Sequence, residues 1–160
     1  MPRRKKKDFT RDTGVDLRFE SPLIQKFINI IMERGKKSVA CSIVYEAMDI
    51  LVKKSGGDDK KAYELFNKAF NQIAPFVEVR PRRVGGSVYQ IPMEVPQKRR
   101  GSLAMRWVIA AAQARSGKSM SQKLAAEFLD AIEGRGGAVK KKTEVQRMAE
   151  ANRAFSHYAW

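Results

Sequence analysis

Between Phe76 and Val95 the chain reads FVEVRPRRVGGSVYQIPMEV, and this stretch constrains the fold more than any other. Two β-prone runs flank Gly85-Gly86, a pair able to supply the positive φ angles that a two-residue hairpin turn demands. Pro81 and Pro92 lie inside those runs and cannot donate ladder hydrogen bonds, which confines both strands to an edge-only ribbon. The spacing predicts a two-stranded arm over about 76–96, with Tyr89 opposite Arg82 and with Arg80, Arg82 and Arg83 near the tip. An isolated two-stranded arm cannot bury a core of its own, so its guanidiniums and its ring are available to a partner. Arginine in that setting points to a polyanion.

The whole chain has the matching sign. It carries 32 Lys and Arg against 17 Asp and Glu, a formal net charge of +15. Its pI near 10.2 is far above what solubility needs. Nucleic acid is the commonest partner of such a chain, and an anionic membrane surface is second. No apolar run approaches the ~20 residues that span a bilayer, and no signal-peptide core is expected at the N-terminus. The single cysteine, Cys41, allows no internal disulfide and reads as a small core residue in a reducing compartment. At 160 residues the chain fits one domain able to bury roughly 70% of its unfolded surface.

Outside the ribbon the apolar period is helical. Residues 1 to about 18 form a basic, non-periodic tail. Ser21-Pro22 predicts a capped helix with Leu23, Ile24, Phe27, Ile28 and Ile31 on one face, stopping by Gly35. A second helix is expected over Lys37–Lys54, and Asp58 caps a third that reaches Ala74 before Pro75. After the ribbon, Ser102 is expected to cap a fourth helix over 103–115. Its run LAMRWVIAAA is apolar nearly all round, which predicts the most buried element and a cost of ~3–5 kcal/mol for Trp107→Ala. Ser119 with Gln122 forms a capping-box pattern for a fifth helix. Gly134, Gly136 and Gly137 then break the chain. The final segment, about 138–155, has few large apolar residues and is expected to project from the body. The fold class is mainly α, a helical bundle with one β-ribbon arm between its third and fourth helices.

Catalytic signals are nearly absent. His157 is the only histidine, too little for a zinc site or a nucleophile triad. The GKS at 117–119 lacks the earlier glycine of a phosphate-binding loop, because position 112 is Ala112. Asp58 and Asp59 suit a helix N-terminus. No enzyme, metal or cofactor is expected. The cations instead fall in clusters at element ends. These are Arg3, Arg4, Lys5, Lys6, Lys7 and Arg11 in the tail, then Lys36-Lys37, then the ribbon arginines. Lys98, Arg99 and Arg100 follow at the ribbon exit, Arg115 and Lys118 in the next turn, and Arg135 with Lys140, Lys141 and Lys142 near the end. Separated basic patches suit either an architectural DNA-bending protein or a reader of RNA shape. A mid-chain ribbon on a body large enough to stand as a monomer favours RNA.

RGKKSVACSIVYEAMDI (34–50), VEVRPRRVGGSVYQIPMEV (77–95), RWVIAAAQAR with GKSM (106–120) and EGRGGAVKKKTEVQRMAEANRAFSHYAW (133–160) together resemble small-subunit ribosomal protein seven of the bacterial type. The resemblance covers the chain from about residue 20; before that, only the opening MPRR and the basicity match. It implies six helices with a ribbon arm, in agreement with the periodicity. It also implies a structural role on the ribosome, in the cytoplasm or in an organelle that encodes its own copy. The family binds the 3′ major domain of small-subunit ribosomal RNA as a primary binder and nucleates assembly of the subunit head. Its ribbon and C-terminal helix lie by the exit-site transfer RNA and the messenger path, next to ribosomal protein eleven. Carried over, the ribosomal-RNA set is Arg3, Arg4, Lys5, Lys6, Lys7, Lys36, Lys37, Arg80, Arg82, Arg83, Lys98, Arg99, Arg100, Arg115 and Lys118, with Gly85 and Gly86 as the ribbon turn. The set near transfer and messenger RNA is Arg82, Arg83, Lys140, Lys141, Lys142, Met148, Arg153 and Tyr158. Neither a membrane nor a small-molecule substrate is implied.

Overall fold

Ser21 caps the first helix, α1 (Pro22–Ile31): its hydroxyl accepts from the amides of Leu23 at 3.2 Å and Ile24 at 3.5 Å, and proline takes the first helical position. The same device recurs at Asp58 for α3 (Asp59–Ile73) and at Ser119 for α5 (Met120–Ile132). The structure, a computed structural model, describes residues 12–158. It also contains α2 (Lys37–Lys54), the strands β1 (Val77–Val84) and β2 (Ser87–Glu94), α4 (Gln97–Ala114), α6 (Gly137–Ala151) and a 3₁₀ segment over Arg153–Tyr158. The protein is thus mainly helical, with one antiparallel ribbon between α3 and α4.

The core is an aromatic knot. Phe27 of α1, Phe66 and Phe70 of α3 and Phe128 of α5 lie so close that all six ring pairs fall between 4.7 and 5.9 Å, five of them edge-to-face. Such pairs add ~0.5–1.5 kcal/mol beyond the area they bury. Around the knot pack Ile24, Ile28, Val44, Met48, Leu51, Ile73, Met105, Val108 and Leu124, all at 1% exposure or less. Helix α5 touches α2, α3, α4 and α6 and is the central element.

Four expectations change. Helix α4 starts at Gln97, six residues early. Pro96 opens it, accepting from Arg99 and Arg100 through its carbonyl, and Ser102 lies inside the helix, its hydroxyl bonded back to the Lys98 carbonyl at 3.5 Å. Gly101 lies in the helix interior, tolerated there at ~1 kcal/mol. Nor is α4 buried all round: Arg106 and Ala110 face solvent and Trp107 is half-buried, because alanines satisfy an apolar pattern without requiring burial. Helix α6 does not project. It buries Ala138, Val145 and Ala149 and lies along α4 and β1, its small residues compensating for the missing large ones. The N-terminal segment, read as tail to residue 18, is docked from Asp16 onward. Buried Asp16 accepts from the Arg18 and Phe19 amides and from the Tyr45 hydroxyl at 2.5 Å, while Arg18 pairs with Asp49 at 2.6 Å and Asp59 at 3.3 Å.

The α5–α6 connection turns on a buried carboxylate. Glu127 is 0% exposed; its Oε1 accepts from the Ala138 amide at 2.8 Å and its Oε2 from Arg115 Nε at 2.6 Å. Arg115 also bonds Asp130. Gly136, at φ 99°, leaves no room for a side chain, since a Cβ would stand 2.8 Å from Glu127 Oε1.

Glu127→Gln leaves Arg115 without its buried partner and should cost about 3 kcal/mol, lowering Tm by roughly 6–12 °C in a thermal melt. A shift under about 2 °C would show that this carboxylate is not structural. Trp107→Ala should shift Tm less than Phe66→Ala, the latter a full core truncation of ~3–5 kcal/mol; the reverse order would place the indole in the core. Burial, and then donation to Asp16, push the Tyr45 hydroxyl up to about 12. Its contribution is therefore whole below the ordinary tyrosine value near ~10 and is lost as pH rises toward 12. Tyr45→Phe should be less stable at neutral pH and lose less between pH ~10 and ~12, as read by denaturant midpoints across that range.

Candidate nucleic-acid interface

Strand pairing in the arm follows from the glycine turn: Val84 faces Ser87, Arg83 faces Val88, Arg82 faces Tyr89 and Arg80 faces Ile91. Gly85 and Gly86 hold φ of 57° and 89°, the left-handed pair the hairpin needs. Side chains alternate across a strand, so Arg82 and Arg83 lie on opposite faces. The Arg82 face carries Ile91, which is fully buried, and Tyr89, which packs on Phe155 at 5.0 Å and on Tyr158 at 6.2 Å. Arg82 Nη1 reaches the Tyr158 carbonyl at 3.4 Å. The C-terminal 3₁₀ segment is thus folded onto this face of the arm, and Tyr158 braces the ribbon. The other face shows exposed Arg83, Pro81, Gln90 and Val88, the last 60% exposed.

The arm's root is where separate sequence clusters converge. Glu78 of β1 binds Arg80 of the same strand at 2.5 Å and Arg99 of α4 at 3.0 Å. Burial alone would raise the Glu78 carboxyl, but the hydrogen bonds from Arg99 and Arg80 outweigh it and hold it below the usual carboxylate value. Arg100 donates to the Val95 carbonyl at 2.8 Å and lays its guanidinium 4.7 Å from the Phe76 ring centroid. Lys142 of α6 comes to the same ring at 6.0 Å and donates to the Gln72 carbonyl at 2.6 Å. Two cations from elements some forty residues apart therefore meet over one aromatic ring. Sequence reading missed both Phe76 and Glu78. The only signals were an aromatic directly after Pro75 and one acid in a basic strand.

Other residues of the expected set lie elsewhere. Lys36 and Lys37 are exposed at the start of α2, and Lys118 is exposed in the α4–α5 loop. A cleft lined by Lys36, Ile109, Gln113 and Met120 puts this group at the far end of α4, about 20 Å along the helix from Arg100. Lys140 and Lys141 are exposed on α6, with Lys141 paired to Glu144 at 2.8 Å, and Arg153 and Met148 are also exposed. Lys98 is exposed in the first turn of α4. Arg115 differs from all of these. It is committed inside the protein, and although burial works against its charge, Asp130 and Glu127 raise its pKa. The tail cations Arg3, Arg4, Lys5, Lys6, Lys7 and Arg11 fall outside the described residues.

The helix starts divide in two. Helices α1, α3 and α5 have side-chain caps, whereas α2, α4 and α6 have none and carry no acid in the first turn. Helices α2 and α4 thus bring Lys37 and Lys98 to Arg100 to the positive end of a helix, where a cation is disfavoured by ~0.3–1 kcal/mol and a phosphate is favoured, whereas at α6 the Glu127 carboxylate already accepts from the Ala138 amide. Among the described residues no group of His, Cys, Asp and Glu is arranged to hold a metal ion, and no helix is long and apolar enough to cross a membrane. The chemistry on offer is anion binding.

Comparison with known proteins gives the same direction. The chain is 57% identical over 145 residues to the small ribosomal subunit protein uS7 of Idiomarina loihiensis, covering 91% of each chain. It is 54% identical over 160 residues to the protein of that name from Blochmanniella pennsylvanica, covering all of both. With that of Roseiflexus castenholzii it shares 54% identity over 143 residues, 89% of each. Residues 2–153 match the family described as Ribosomal protein S7p/S5e, and the chain belongs to that family.

Proposed function

We propose that this chain is a structural component of the small ribosomal subunit that anchors ribosomal RNA. It binds the 3′ major domain as a primary binder, nucleates the subunit head, and presents its arm and C-terminal segment to exit-site transfer RNA, the messenger path and protein eleven. The observation that carries this reading is the placement of two uncapped, cation-bearing helix starts, those of α2 and α4, at opposite ends of α4, beside an arginine-tipped arm. Gln113, which shares a cleft with Lys36, lies about 20 Å along α4 from Arg100, and basic groups held apart on a rigid body suit phosphates on separate RNA helices. The mechanism is electrostatic anchoring plus shape. Basic side chains release counterions and bind phosphate, and the packed helices set the spacing between contacts. No bond is made or broken.

Filter binding across a salt series tests it, with RNA of the 3′ major domain competed against equal-length duplex DNA and an unrelated structured RNA. A preference for the ribosomal fragment that persists at ~0.2 M salt supports shape recognition beyond counterion release. Equal, steeply salt-sensitive binding to all three overturns it and favours an architectural DNA-binding role. Arg82→Ala combined with Arg83→Ala should weaken binding to the fragment and reduce the salt slope by about 2, without unfolding the domain. Unaltered affinity removes this pair from the interface.

A further inference from the structure

Phe76 is a large apolar side chain left 64% exposed at the arm's root, between Pro75 and the first residue of β1. It borders a cavity of about 420 Å³ between α3 and α4, within the ~300–1,000 Å³ range of small-molecule sites. The walls are not those of a simple apolar groove. On one side stand the Phe76 ring and the Arg100 guanidinium, two planar groups 4.7 Å apart, the latter held by its bond to the Val95 carbonyl. On the other stand Asn67, Asn71 and Gln97, whose side-chain amides have no hydrogen-bond partner among the described residues. Outside the lining, Lys142 sits 6.0 Å from the ring centroid, its ammonium also bonded to the Gln72 carbonyl.

We propose that this cavity holds one unstacked nucleotide of the bound RNA, its base against the Phe76–Arg100 planes, its edge read by the three amides and its phosphate met by Lys142. The inference rests on the RNA-anchoring reading above and extends it to a site. Each wall matches one part of such a ligand. Bases extruded from an RNA loop stack on aromatic rings and guanidinium planes and are read along their Watson–Crick and Hoogsteen edges. An amide carries both donor and acceptor, so three of them can complement a base edge. A peptide side chain could fill the same volume, but it would leave a cationic rim without a partner. The local charge of Arg100 and Lys142 therefore favours a nucleotide.

The site can be blocked without removing anything. Gly101 lines the cavity on α4, and a Cβ built there meets no atom within 4 Å. Gly101→Leu should fill the space, with no loss of helix stability. Phe76→Ala removes the stacking plane from an exposed position and should leave the melt unchanged. Both variants should lose about tenfold in affinity for the 3′ major domain fragment at fixed salt, the scale of one base–aromatic stack. Phe76→Ala, which deletes no cation, should keep the salt slope, whereas Gly101→Leu, which expels the nucleotide and takes its phosphate from Lys142, should lower it by about 1. Titrating the full chain with the four nucleoside 5′-monophosphates should shift the NMR resonances of Phe76, Asn71 and Gly101 before those of other residues. Wild-type affinity in both variants overturns the pocket while leaving RNA anchoring in place, as does an absence of shifts at those residues. Failure of the wild-type chain to prefer the fragment overturns both. Crosslinking of a photoreactive side chain at position 76 to protein rather than RNA, in an assembled particle, assigns the cavity to a protein neighbour and overturns the nucleotide.

Discussion

One buried carboxylate fixes the half of the molecule that carries the arm. Glu127, with no exposed surface, ties the end of α4 through Arg115, belongs to the central helix α5, and receives the first free amide of α6 through Ala138. A charge in that setting is tolerable only when both its oxygens are bonded, and here each accepts one hydrogen bond. Gly136 and Gly137 follow from the same constraint, because α6 must start close against Glu127 and Ala111. Helix α6 then flanks β1 and brings Lys142 to the arm's root. The basic surface is oriented by an acid in the core.

The distribution of charge has a consistent logic. Asp16, Asp49, Asp59, Glu78, Glu127 and Asp130 bind cations or donors within the protein, at Arg18, Tyr45, Arg80, Arg99 and Arg115. Acids thus serve the fold, and much of the remaining positive charge lies at loops, helix starts and the arm. A protein free to optimise its own stability would place carboxylates at the starts of α2 and α4, as Glu127 serves α6. It has lysines and arginines there instead, so those ends are suited to an external anion more than to the isolated fold.

The helices and the ribbon were legible because their signals are local. Ser21-Pro22, Asp58 and Ser119 act through neighbouring amides, and Gly85-Gly86 set the register that pairs Arg82 with Tyr89. What sequence reading lost depends on contacts between distant residues. Ser102 reads as a cap although Pro96 starts α4 before it. The alanines of α4 and α6 give no hint of which side is covered. Arg115 looks like any other exposed cation until Glu127 and Asp130 are brought beside it. Phe76 carries no periodic signal, and its meeting with Arg100 and Lys142 exists only once α3, α4 and α6 are packed.

The prolines of the arm govern more than its pairing. Pro81 faces Gln90 and Pro92 faces Val79 within an unbroken ladder, so each proline nitrogen points away from its partner strand, toward the ribbon's outer edge. At that point an arriving strand from another copy finds no N–H to bond, on either edge of the ribbon. Side-by-side pairing of two arms would therefore lose a ladder bond at each proline. The two rings act as guards that blunt the edges of an extended ribbon against sheet-like aggregation.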